Sequence, residues 1–259
     1  MKDLGSDSMP PPRRLLDADT KREEDRRLIT VLVTGFDAFH DRYPVNPSFE
    51  IVRSLPQLLP QSAVGCETIR IVCHDSPIRV CYEDVRAVIP PLLESHHGTI
   101  DLVLHVGMAS GRQHYIAEHY AHRDNYGTHK DIDGGVPPSE DGYNLYGDCP
   151  VMMESSLDYG ELMRKWRLTI SQAPVGSPAY GADCRESEDA GHFICDYTYF
   201  NSLVWYARRN MRREGGASSD RPVMFLHVPA ESDPKTLEKG RGVAMALIRA
   251  MVDTYIGAE

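Results

Sequence analysis

The sequence predicts an α/β domain in which a layered sheet is covered by helices on both faces. Three observations carry that expectation. Short β-branched apolar runs recur along the chain, helical patterns stand between them, and several runs end in glycine or a turn residue. Two-faced apolar strands are what a parallel sheet buried on both sides requires.

The elements follow in order. Residues 1–27 are polar, charged and proline-containing without any period, so they read as a disordered N-terminal tail, and the folded domain is placed at 28–259. LITVLVTGF, 28–36, is a continuous apolar run closing on glycine, hence a buried strand. In NPSFEIVRSLPQLL, Asn46 stands where an N-cap belongs and Pro47 at the first helical position. CETIRIVCH reads as a second strand. SPIRVCYEDVRAVIPPLLES reads as a helix interrupted near its prolines, and DLVLHVG as a third strand. ESSLDYGELMRKWRL is helical, PVMFLHVP at 222–229 is a short strand, and DPKTLEKGRGVAMALIRAMVDTYI closes the chain as a helix. Between them, 171–191 is dense in Gly, Pro, Ser and acid, and longer than ordinary connections. It is expected to be a long loop, whether insertion, lid or mobile surface.

Composition narrows the function. At 259 residues, 41% hydrophobic and 25% charged, the chain can bury one sizeable core. A formal net charge of -10 and the lack of a basic stripe argue against nucleic acid as a partner. The first residues contain no apolar signal core and no later run reaches bilayer-spanning length, which predicts a cytoplasmic protein without a membrane partner. Oligomeric state is not legible.

Neither GxGxxG nor GxxxxGK[ST] occurs, so phosphate-cradling loops lack support. No GxSxG elbow is present either. His105, His114, His119, His122 and His129 crowd one region, but their spacing fits no zinc pattern, so no metal and no cofactor is expected. Six cysteines, at 66, 73, 81, 149, 184 and 195, form no CxxC pair and read as free thiols. Cys73 and His74 are strand neighbours that point to opposite faces. Cys195 differs because it follows a glycine-containing loop and opens a helical stretch. There it would face the positive end of the helix dipole, an environment that favours a thiolate. Position alone leaves two readings open, a buried packing cysteine or a nucleophile.

The full set of segments adds a resemblance. VLVTGFDAFHDRYPVNPSFEIVRSL, HVGMASGR, IAEHYAH, SEDAGHFICDYTYFNSL and FLHVP resemble, in order, the motifs of the pyroglutamyl peptidase I (pyrrolidone carboxyl peptidase) family, closer to its eukaryotic branch. The resemblance implies a single domain on a twisted, mostly parallel central sheet of the phosphorylase/hydrolase-like kind. It also implies a cysteine exopeptidase that removes N-terminal pyroglutamate from small peptides through an acyl-enzyme.

Carried across by position, the nucleophile falls on Cys195, the general base on His227 and the orienting acid on Glu118. The chemistry asks for these types independently: a thiolate, an imidazole within reach, and a carboxylate that fixes the imidazole's tautomer. The lactam pocket falls on Phe36, Phe39, Met108 and Ile194. Two aromatic faces suit a flat, neutral, mostly apolar ring.

The sequence departs from the family where Phe39-His40 replaces Phe-Gly, and where Gly107-Met108-Ala109-Ser110-Gly111-Arg112 replaces Gly-Gln-Ala-Gly-Gly-Arg. The family's Asn and Arg after the acid have no clear counterpart in HYAHRDNYGTHKDIDGG, where Arg123 and Lys130 are possible substitutes. The alternatives are a catalytically silent α/β binding protein that retains the lactam pocket and, more distantly, a metal-dependent hydrolase built on the histidines.

Overall fold

The structure is a computed structural model that describes residues 27–39, 43–60, 67–137 and 145–258. The expected tail at 1–27, residue 27 apart, lies outside the described residues, as do His40 and Cys66.

Six strands form the central sheet: β1 (Leu28–Thr34), β2 (Thr68–Cys73), β3 (Leu102–Met108), β4 (Tyr115–Glu118), β7 (Cys184–Ser187) and β8 (Val223–Val228), in spatial order β2-β1-β3-β8-β4-β7. All neighbouring pairs are parallel except β4 against β8. Two further strands, β5 (Tyr120–His122) and β6 (Met152–Glu154), pair antiparallel beside it.

Among the described residues, five helices cover the sheet: α1 (Pro47–Arg53), α2 (Tyr82–His96), α3 (Tyr159–Ser171), α4 (Ile194–Arg209) and α5 (Pro234–Gly257). Alternation along the strands divides the core in two. Ile29, Val31, Val33, Leu104, Val106, Leu226 and Val228 pack with residues of α1, α3 and α5. Leu32, Val103, Val223 and Phe225 face the opposite way, onto α2 and α4. By the same alternation Gly107, two residues after His105, and His227, two after Phe225, lie on the α4 side.

The helix starts agree with the capping signals. Asn46 caps α1 by accepting from the Ser48 amide at 3.1 Å, with Pro47 at the first position. Asp158 and Asp233 cap α3 and α5 in the same way.

Two expectations are revised. Helix α2 runs unbroken through Pro90 and Pro91. The apolar stripe of Val85, Ile89, Leu92 and Leu93 is buried in the second core, and that packing outweighs the loss of two amide donors. The stretch 171–191 is not wholly a loop, because it contains β7, the outer strand of the sheet, in register with β4 from Tyr115↔Cys184 to Glu118↔Ser187. Part of the remainder is packed: a Cβ added to Gly242 in α5 would lie 3.0 Å from the backbone of Ala179. Cys184, half-buried, contributes to the first core.

Among the described residues, no helix is long and apolar enough to cross a membrane.

Candidate active site

Helix α4 carries Cys195 as its second residue. Its N-cap position is Phe193, which has no side-chain acceptor to offer, and first-turn amides have no intrahelical acceptor. The helix start therefore leaves donors and a positive dipole end beside the thiol.

The partner surface is built by sheet register. Gly107 of β3 pairs with His227 of β8, and Ile116 of β4 flanks His227 on the other side. Glu118, two residues further on in β4, shares the face of His227, and its Oε1 accepts from His227 Nδ1 at 2.7 Å. Glu118 is fully buried. Its second oxygen, Oε2, has no hydrogen-bond partner among the described residues, and Arg112 approaches Oε1 only to 3.8 Å.

Burial by itself would push the His227 imidazole down. The negative charge and hydrogen bond of the Cys195 side chain, joined by those of Glu118, outweigh it and hold the ring up at about 10. His227 thus stands between the Cys195 and Glu118 side chains, both of which favour its protonated form. Cys195, His227 and Glu118, assigned to one site in the sequence, are brought together.

Gly107 was not singled out by sequence reasoning, and it is what permits the approach. A Cβ there would stand 2.9 Å from Cys195 Sγ and 2.7 Å from the Phe225 ring. Gly107→Ala is therefore expected to displace the thiol and lower kcat by about tenfold to a hundredfold. It should also cost about 1–3 kcal/mol of stability through overpacking. Paired kinetics and thermal melts check this, and parent-like kcat would show that the contact is soft.

The four residues expected at the lactam pocket separate. Phe36 is only 2% exposed and packs against Phe225 with ring centroids 6.2 Å apart. Ile194 is fully buried in the second core. Phe39 is half-buried, with its ring 5.5 Å from that of Phe193, and Met108 is half-buried at the end of β3. Phe36→Ala should accordingly cost about 3–5 kcal/mol of stability. Phe39→Ala should raise KM severalfold at nearly constant kcat, as loss of an apolar wall does. Melts and Michaelis plots on both variants check the split, which fails if Phe39→Ala lowers kcat and leaves KM unchanged.

The crowded histidines disperse. His105 is buried between Thr34 Oγ1 (2.7 Å) and Ser202 Oγ (2.8 Å), and burial pushes its imidazole down to about 3, which keeps it neutral. His119 stacks on Tyr159 and bonds Glu154. His129 lies beside Phe193.

A second group missed in the sequence adjoins the helix start. Asp196, fully buried, accepts from the His122 amide at 2.9 Å and contacts His122 Nδ1 at 3.2 Å and Tyr126 Oη at 3.3 Å. That contact with Asp196 raises the His122 imidazole from its ordinary value, against a smaller opposing effect of burial. An acid directly after the candidate cysteine was the only signal available for it.

Comparison with known proteins adds the decisive observation. Residues 29–254 match the family model described as pyroglutamyl peptidase. The chain belongs to the pyroglutamyl peptidase family. Human pyroglutamyl-peptidase 1 is 26% identical over 231 residues, which is 88% of this chain and 92% of that protein. The pyrrolidone-carboxylate peptidase of Bacillus subtilis (strain 168) is 26% identical over 199 residues, 77% of each chain. Equal identity to a human and a bacterial relative leaves the branch of the family undistinguished by this measure.

Among solved structures, a mutant pyrrolidone carboxyl peptidase from P. furiosus superimposes with a TM-score of 0.65 at 20% identity, over 87% of this chain and 99% of that one. The pyroglutamyl peptidase I from Bacillus amyloliquefaciens gives 0.61 at 23% identity, over 89% and 94%. At these identities the superpositions speak for the fold: a single α/β domain with a mostly parallel sheet.

Proposed function

We propose that this pyroglutamyl peptidase family member hydrolyses the bond after an N-terminal pyroglutamyl residue, with Cys195 as nucleophile, His227 as acid and base, and Glu118 as its orienting partner. The observation that supports this most directly is the continuous line from the start of α4 to the carboxylate. Gly107, paired with His227 in the sheet, lies against Cys195 Sγ, and His227 Nδ1 donates to Glu118 Oε1 at 2.7 Å.

The chemistry follows from the groups present. The Cys195 thiolate attacks the pyroglutamyl carbonyl carbon, and the carbonyl oxygen becomes an oxyanion beside the first-turn amides of α4, including that of Cys195. The imidazolium of His227 gives its proton to the leaving amine as the C–N bond breaks, and a thioester remains on Cys195. Neutral His227 then takes a proton from water, the hydroxide attacks the thioester, and pyroglutamate leaves with the thiolate restored. Glu118 stabilises the cation and holds its tautomer throughout.

The substrate's cyclised end is neutral, so an aromatic and apolar surface such as Phe39, Phe193 and Met108 receives it without a charge partner. We take the substrates to be small peptides with an N-terminal pyroglutamate and the setting to be cytoplasmic.

Incubation with a fluorogenic pyroglutamyl amide, with and without a thiol-alkylating reagent and a chelator, tests the reading. Turnover blocked by alkylation and indifferent to the chelator is expected. Lactam binding without turnover would instead establish the silent binding protein, and turnover that resists alkylation but is lost on chelation would establish the metal-dependent hydrolase.

A further inference from the structure

Among the described residues, one group of metal-ligating side chains lies apart from the Cys195, His227 and Glu118 line. His122, Asp189 and His192 each place a donor atom within 4.8 Å of the others. They come from two segments: His122 ends β5, while Asp189 and His192 lie in the connection between β7 and α4, just ahead of Cys195. Both histidines are half-buried and Asp189 is exposed, so an ion can reach them from solvent.

The surroundings are those of ligands rather than of a plain ion pair. His122 Nδ1 is engaged by the carboxylate of buried Asp196 at 3.2 Å. His192 Nδ1 lies 3.0 Å from the Asp124 carbonyl oxygen, to which it can only donate, and 3.6 Å from Asp196 Oδ2. A proton on Nδ1 leaves Nε2 with the lone pair in each neutral ring. Carboxylate and carbonyl partners on the far nitrogen are the outer contacts that orient metal-binding histidines. Asp189 Oδ1 accepts from the Gly191 amide at 2.8 Å, which fixes the carboxyl group and leaves its other oxygen available.

The backbone also commits itself here: Gly191 has φ 95 and His192 has φ 45, the left-handed region that a histidine adopts only at a cost. That turn brings the His192 ring against the His122 ring, with centroids 4.3 Å apart.

We propose that His122, His192 and Asp189 form a site for a zinc-type divalent cation, separate from the peptidase chemistry, that pins the segment leading into Cys195. Two imidazoles and a carboxylate are a donor set of borderline softness that suits Zn²⁺, with a fourth position for water. Zinc bonds of about 2.0–2.2 Å require the ligand atoms to close to about 3.3–3.5 Å of one another. Half-exposed side chains accomplish that by small torsional shifts.

The test uses the full chain carrying Cys195→Ser, so that the thiolate does not compete for the metal. Calorimetric titration with Zn²⁺ should give one ion per chain, and the same addition should raise the melting temperature. In that background His192→Asn, chosen because asparagine tolerates positive φ, and Asp189→Asn should each weaken binding by about tenfold or more while circular dichroism stays parent-like. Co²⁺ in place of zinc should give visible bands without a thiolate charge-transfer band in the chain that retains Cys195. Zinc binding that is lost with Cys195→Ser, or that is indifferent to both His192→Asn and Asp189→Asn, would overturn the site and assign the ion to the thiol or to scattered surface groups.

Discussion

Replacing Cys195 with serine is expected to lower kcat on a pyroglutamyl amide by on the order of ten-thousandfold or more, with an unchanged circular dichroism spectrum. The change is nearly isosteric, so the contact with Gly107 survives. What disappears is the anion that faces His227. An alcohol at the same place is not ionised at neutral pH, and without that charge the imidazole loses one of the two influences that hold it as a cation. Alkylation chemistry gives an independent reading of the same residue. Cys73 and Cys184 have thiols pushed up to about 11 and about 12 by burial, so at neutral pH they should react slowly, and the alkylation that tracks inactivation should map to Cys195. Retained activity in Cys195→Ser, or abolition by Cys184→Ser instead, would place the nucleophile elsewhere.

Replacing His227 with alanine should be comparably severe, since the thiolate loses its counter-ion and the leaving amine loses its proton donor. Glu118→Gln should fall between the parent and His227→Ala, because an amide still accepts from Nδ1 but cannot balance the cation. The direction of the His227 shift adds a pH signature. Its value is raised from the ordinary 6.5 to about 10, so the imidazolium persists through neutrality and is lost only as the pH rises through the alkaline range. The stability it confers has the same sign: fully present below about 6.5 and lost as the pH rises through about 10. The alkaline limb of the rate profile of the parent should therefore stand well above pH 6.5, and in Glu118→Gln it should move to lower pH. A profile that rises through pH 6.5 as His227 loses a proton would mean that the neutral imidazole is the resting form.

The strands and helix caps were readable because local sequence determines them. Leu28 to Thr34 is apolar on both faces whatever it packs against, and Asn46-Pro47 starts a helix by its own chemistry. Strand β7 was hidden because an edge strand needs little apolar content. Cys184-Arg185-Glu186-Ser187 is polar, and only its pairing with Tyr115 to Glu118 makes it a strand. Helix α2 looked broken because Pro90 and Pro91 act locally, whereas the stripe that holds the helix is tertiary.

The site shows the same division. Nothing local to Glu118 marks it, since it becomes a partner of His227 only through the antiparallel pairing of β4 with β8, 109 residues apart in sequence. Its assignment came from the resemblance. Gly107 was overlooked because its role is an absent side chain under a thiol that the fold brings from 88 residues away, and His192 because it borders the cysteine rather than the histidine-rich stretch.

The most direct test of the mechanism is to trap the intermediate. The full chain is mixed with excess pyroglutamyl amide, quenched in acid during turnover and examined by intact mass spectrometry, then by peptide mapping. The account predicts a mass increase of one pyroglutamyl acyl group, located on the peptide that contains Cys195, and missing from Cys195→Ser. Turnover in the parent with no adduct under a rate-limiting deacylation, or an adduct on another cysteine, would contradict it.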